Sequence, residues 1–437
     1  MSAGCRLTRL TGTQAGWRHA SGMALALLLS GPFLTGCSTA SRPSEPTAET
    51  GSVTQSSFVG PPLSLTAAAA GLADTVLARA GRRPPGMAAI TGPVPITIDA
   101  FVDVTTGTET LATRALMAQV GQRVRASHPD FELRSFTPAT LADRPLVLLG
   151  STASITGAAS RPPAYRVRVV LADLRTGRII EQAETQVRAE DIDTALAPFF
   201  RDSPGWLPDP AVASYIRTVE AGPGQPIDPV YQQGATVQVL VADGMLAYEA
   251  GRYREALALY SQAQSLPAGD QMRVYNGVYL ANWELGRQDE AEAAFARIID
   301  FGLRRGRLAV KFSFLPGSAA FWPDPAISAP YGMWIRQIAQ QADERAACLE
   351  LTGHSSPTGA ASSNDRLALR RAERLEARLI AQRASLRGRL RVESAGAREP
   401  IVGTGADDAS DTLDRRVEIE PLACQTLAAA NATGSGG

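Results

Sequence analysis

The sequence is almost without lysine. Lys311 is the single one among 43 basic residues, and every other base is arginine. Together with the high alanine content this marks a GC-rich coding sequence and says little about function. Acids also number 43, so no net charge is left to coat nucleic acid or a polyanionic surface. No nucleic-acid partner is expected. Histidine is scarce, and His19, His128 and His354 are scattered, which argues against a histidine-rich metal centre. The four cysteines form no Cys-x-x-Cys pair. There is no G-x-S-x-G, no H-E-x-x-H and no Walker loop. No catalytic residue, metal ligand or cofactor is therefore assigned, and the chain is read as not an enzyme. His354 beside Ser355 and Ser356 does not alter this, because neighbours on a strand point to opposite faces. A long apolar run is also missing. The longest, "SGMALALLLSGPFL", is short and broken at Gly31-Pro32, so it is no comfortable membrane span.

That run does fit a targeting segment. Arg6, Arg9 and Arg18 form a positive n-region before it, and it ends in "LTGC", Leu34 to Cys37. The pattern resembles the lipobox of bacterial lipoproteins. The resemblance implies a signal peptide over 1–36, cleavage before Cys37, and acylation (palmitate-type) of the Cys37 thiol. Several acyl chains contribute about 0.8 kcal/mol per buried methylene, enough for stable anchoring. Ser38 in place of Asp favours the outer membrane, lipid-anchored and facing the periplasm. The alternative is an ordinary secretory signal. Cleavage removes three Arg and no acid, leaving a net charge of −3. Residues 37–60, rich in Ser, Thr, Pro and Glu, read as a lipidated tether.

Residues 61–205 read as an α/β domain. "PITIDAFVDVT" and "PLVLLGST" are strand-like, "ETLATRALMAQVGQRVRAS" is an amphipathic helix, and "AYRVRVVLADLRTGRIIEQAETQVR" is a hairpin turning at Arg175-Thr176-Gly177. The order resembles the small α/β domain of envelope lipoproteins such as the curli-secretion lipoprotein and the activators of penicillin-binding proteins; a generic α/β domain is the alternative. Residues 206–235 read as a linker. Within 236–307, "AGRYREALALYSQA" and "LGRQDEAEAAFARI" place Gly251 and Gly286 35 residues apart. This resembles the tetratricopeptide repeat (TPR), and implies either a protein partner on the repeats or a spacer.

Residues 308–424 read as strand, helix, strand, helix, strand, strand, with a tail at 425–437 expected to be disordered. "LTGHSSPTG", "ND", "LALRRAERLEARLI", "GAREPIVG" and "LDRRVEIEPL" occur in the order of the OmpA-like peptidoglycan-binding domain, which this unit resembles. The family implies a ligand, the diaminopimelate group of the peptidoglycan stem peptide. That group is a zwitterion, so its clamp needs an anion for the ammonium and an arginine fork for the carboxylate. The family turn G-H-T-D-x-x-G is matched by Gly353, His354 and Gly359, but Ser356 stands where the family has Asp. Asn364 matches the loop asparagine and Arg371 the clamp arginine. Arg415 and Arg416 match the closing pair, with Asp414 in place of Asn. A Ser hydroxyl brings no charge, and losing a charge-assisted bond costs about 1.5–3 kcal/mol, roughly ten- to hundredfold in affinity. Asp365, Asp407, Asp408 and Asp411 are candidate substitutes for the missing acid. Cys348 begins one strand-like run and Cys424 follows another. If those strands are neighbours, an oxidising periplasm permits a disulfide.

The whole reads as an α/β and α multi-domain protein with an N-terminal α/β domain, central TPR-like helical hairpins and a C-terminal OmpA-like βαβαββ sandwich. Its expected role is non-enzymatic tethering or scaffolding of the outer membrane at the cell wall, with peptidoglycan as partner. The alternative is an envelope assembly or regulatory factor that binds a protein through the repeats and N-terminal domain, its OmpA-like pocket no longer holding peptidoglycan.

Overall fold

The computed structural model describes residues 60–80, 92–155, 163–315, 317–401, 414–425 and 427. The lipobox and Cys37, the tether except Gly60, most of the tail, and Asp407, Asp408 and Asp411 lie outside the described residues. No described helix is long and apolar enough to cross a membrane.

The first sheet contains β1 (Val94–Ile98), β2 (Val102–Asp103), β3 (Phe131–Leu133), β4 (Leu146–Ile155), β5 (Ala164–Asp173) and β6 (Arg178–Arg188), in the order β3-β1-β4-β5-β6 with β2 also on β4. Strands β1, β2 and β3 pair in parallel, and β4, β5 and β6 antiparallel. The stretch "PITIDAFVDVT" is thus two strands, not one. The break falls at Asp99, whose buried carboxylate accepts from the Ala100 amide (2.8 Å) and the Tyr231 hydroxyl (2.8 Å). The first four residues of β4, Leu146 to Leu149, are apolar on both faces because both are covered. Leu146 and Leu148 meet α1 (Leu65–Ala80) and α2 (Leu111–Ser127). Val147 and Leu149 meet α5 (Pro210–Glu220) and α6 (Pro229–Glu249). Two short helices, α3 (Pro138–Ala142) and α4 (Pro198–Asp202), lie on the connections.

Residues 206–235 are a correction to the sequence reading. They are no linker but hold α5 and the start of α6. Tyr215 is buried, and its hydroxyl accepts from the Gly150 amide (3.0 Å) and donates to the Gly150 carbonyl (3.1 Å). Asp209 caps two helices at once. It accepts from Val212 N (3.0 Å) at the start of α5 and from Met272 N (2.9 Å) at the start of α8 (Met272–Glu284).

Helices α6 and α7 (Tyr253–Ser265) form one hairpin, α8 and α9 (Gln288–Arg304) the next. Gly251 and Gly286 turn the chain with positive φ (72° and 70°), where other residues are strained. Tyr260 fills the gap between the hairpins and rests so close to Gly277 that a Cβ there would sit 2.4 Å from its ring.

The second sheet has the order β10-β9-β11-β8-β7, from β7 (Gly205–Trp206), β8 (Leu308–Val310), β9 (Cys348–His354), β10 (Leu390–Gly396) and β11 (Val417–Leu422). Helices α10 (Pro325–Ser328), α11 (Tyr331–Glu344) and α12 (Ala361–Gln382) complete this layer in the expected βαβαββ order, with α10 as an added turn. Strand β8 is shorter than "LAVKFSF" suggested. After Val310 the chain leaves the sheet, and the buried Lys311 ammonium donates to the carbonyls of Phe200 and Arg201 at the end of α4. One hydrophobic core runs without a break from the hairpins into this sheet, through Phe295 and Ile298 of α9, Trp334 and Ile338 of α11, and Leu349 and Leu351 of β9. Leu422 of β11 pairs with Cys348 of β9, and Cys424 just beyond it is joined to Cys348 by a disulfide with Cα atoms 5.3 Å apart.

Candidate functional site

The site is built where β9 ends and α12 begins. Gly353 allows close packing of the two, since a Cβ there would lie 2.0 Å from the Ala368 carbonyl oxygen. Pressed this tightly on the strand end, α12 turns Asn364 and Arg371 inward. They are seven residues apart, two helical turns, and so share a face. Both are buried, and Arg371 is only 1% exposed. Its guanidinium carbon lies 5.0 Å from the centre of the Phe314 ring, and its Nε donates to the Ser318 carbonyl (3.3 Å). An aromatic face and a carbonyl thus hold a buried cation in place.

Ser356, Asn364, Arg371 and Arg415 line one cavity of about 610 Å³. Ser355, Thr358 and Arg370 line it too, and the segment between β8 and α11 adds Phe314, Trp322 and Ile327. Among the described residues no Asp or Glu lines it. The cavity presents three guanidinium groups and several hydroxyls, which suits a carboxylate-bearing ligand.

Arg416 is elsewhere. Unlike its neighbour Arg415, it does not line the cavity. It is buried, its Nε donates to Glu418 Oε1 (2.6 Å), and its terminal nitrogens lie near the Glu399 carbonyl (3.4 and 3.3 Å). His354 lies by the same glutamate. It is 1% exposed, with Nε2 3.8 Å from Glu418 Oε1. Burial, then the positive charge of Arg416, push its pKa down to about 4, so it is neutral at physiological pH. Its amide donates to the Arg416 carbonyl (2.9 Å), tying the turn to the edge of β11. Asp414 accepts from the Ile401 amide (2.6 Å). Asp365 does not line the cavity, and its carboxylate pairs with Arg398.

Sequence reasoning missed Phe314, Trp322, Ile327 and Arg370. For Phe314 and Trp322 the signal was present in the aromatic stretch "FSFLPGSAAFW", which is more apolar than a loop requires.

Residues 314–412 match the OmpA family. The C-terminal region of this chain is an OmpA family domain. Similar solved structures include an outer membrane protein from Borrelia burgdorferi, with 19% identity over 27% of this chain and 88% of that one, at a TM-score of 0.21. The peptidoglycan-associated lipoprotein from Burkholderia pseudomallei is 22% identical over 26% of this chain and 89% of that one, at 0.21. The cell wall anchor of the T6SS from Pseudomonas aeruginosa is 24% identical over 27% and 80%, at 0.22. No curated protein matches.

Proposed function

We propose that this chain is a non-enzymatic anchoring protein of the bacterial envelope. Its C-terminal cavity takes the diaminopimelate group of the peptidoglycan stem peptide, and acylated Cys37 holds the other end in the outer membrane, facing the periplasm. The observation that carries the reading is convergence. Ser356, Asn364 and Arg371 come from the turn after β9 and from α12, Arg415 comes from the approach to β11, and all four line one cavity in the C-terminal region that holds the OmpA family match. Arg371 and Arg415 supply the carboxylate side of the clamp, and Ser356 supplies a hydrogen bond where the family has a charge. Affinity is then about ten- to hundredfold below that of a clamp with both charges.

The test is co-sedimentation of the full chain with purified cell-wall sacculi. Wild type is expected to sediment, Ser356→Asp to sediment more strongly, and Arg371→Gln to stay in solution while its circular dichroism spectrum and single melting transition show it still folded. The Ser at position 356 also favours a second reading, an assembly factor whose helical hairpins dock a protein partner. If Ser356→Asp sediments and wild type does not, that second reading replaces the first.

A further inference from the structure

The cavity is chemically divided. Its arginines come from α12 and from the approach to β11. Its apolar residues Phe314, Trp322 and Ile327 come from the segment joining β8 to α11. Leu367, one helical turn before Arg371, carries the apolar lining onto the same face of α12. This apolar side is held in place before any ligand arrives. The Trp322 amide donates to the Ser313 carbonyl (2.9 Å), and Phe321 packs on Phe312 and Phe314 with ring centres 5.4 and 5.2 Å apart. Asp324 caps α10 by accepting from Ala326 N (2.9 Å), which fixes Ile327 at the cavity with 39% of its surface still exposed. A preset apolar surface that meets solvent gains from any ligand that covers it. The cavity volume of about 610 Å³ is of the size that holds a whole small ligand, more than one terminal amino-carboxyl group fills.

We propose that the apolar side seats a methyl-bearing residue next to the carboxylate-bearing group, so that Trp322 and Ile327 make the site prefer stem peptides that continue into alanine over those that end at diaminopimelate. This rests on the wall-binding reading above and adds a specificity to it. The arginines fix the carboxylate, and the alanine methyl then lies against Trp322 and Ile327.

The experiment titrates the full chain with three soluble disaccharide peptides: a tripeptide ending at diaminopimelate, and the tetrapeptide and pentapeptide that add one and two alanines. Burying one methyl is worth about fourfold in affinity, so wild type should hold the tetrapeptide at least that much tighter than the tripeptide. Trp322→Ala and Ile327→Ser should each bring the tetrapeptide-to-tripeptide affinity ratio down toward one. Ile327 is exposed, so its variant reports on the ligand even if Trp322→Ala disturbs folding. Equal binding of all three peptides by wild type overturns this inference and leaves the wall-binding reading standing. A preference that survives both substitutions also overturns it. Binding of none overturns both.

Discussion

Trp334 of α11 lies flat on Phe295 of α9, with ring centres 5.4 Å apart and planes inclined by 10°, while its indole N–H donates to the Tyr279 hydroxyl (3.0 Å). Around this pair, Glu292 of α9 binds Arg336 (2.6 Å) and the Gln337 side chain (2.6 Å) of α11. The helical hairpins and the OmpA family domain therefore fold against each other. Trp334→Ala should cost about 3–5 kcal/mol, as for large core truncations. Urea unfolding followed by near-ultraviolet circular dichroism checks it. The lost stability should appear in one transition, and a separate early transition for residues 308–424 would contradict the shared core.

Asp209→Ala removes the caps of α5 and α8 together. The expected loss is about 2 kcal/mol or more, against about 1 kcal/mol for a single cap. Asp209→Asn keeps acceptor geometry at one oxygen and should recover part of it. The urea midpoint of the two variants measures this.

Two buried groups pull stability in opposite directions between pH 4 and 6.5. His354 is held down to about 4 by burial and Arg416. The unfolded chain, with its histidine near the ordinary value of about 6.5, takes up that proton first, so this contribution is full above pH 6.5 and is lost as pH falls toward 4. Asp99 is pushed up to about 6, chiefly by burial, against its hydrogen bond from Tyr231. The folded chain holds that proton longer, so this contribution is present at pH 4 and is lost as pH rises through 6. Relative to wild type, Asp99→Asn should gain stability as pH rises over this window. His354→Gln should gain as pH falls. Melting temperatures at pH 4, 5, 6 and 7 check both signs.

Reducing the Cys348–Cys424 disulfide opens a loop closed by a sequence separation of 76 residues. Chain entropy puts the cost at about 4–5 kcal/mol, less any structure kept in the reduced unfolded chain. A Cys424→Ser variant should match the reduced wild type in urea, and reductant should leave that variant unchanged.

Much of this architecture is written in local pattern. The hairpin at Arg175-Thr176-Gly177, the turns at Gly251 and Gly286, and the C-terminal strand and helix order follow from periodicity and turn chemistry. Helix α1, "LTAAAAGLADTVLARA", escaped notice because its alanines blur the contrast between its faces. Helix α5 was hidden by the Gly- and Pro-rich "AGPGQPIDP" that follows it, which gave the whole segment the look of a linker. The break after β1 depends on Tyr231, a residue 132 positions away from Asp99, and no local rule contains it. Motif spacing brought Arg415 and Arg416 forward as a pair. It does not say which of the two side chains reaches the cavity, and only Arg415 does.

Strand β7 adds Gly205 and Trp206 to the edge of β8, and the Trp206 indole donates to the Thr106 carbonyl (2.8 Å) beside the first sheet. With the core continuous from α9 to β9, the described layers are joined by packed side chains and strand pairing. Tension applied at the cavity would then be carried as shear across those contacts, so the molecule would resist a pull as a tie rod does instead of yielding at a joint.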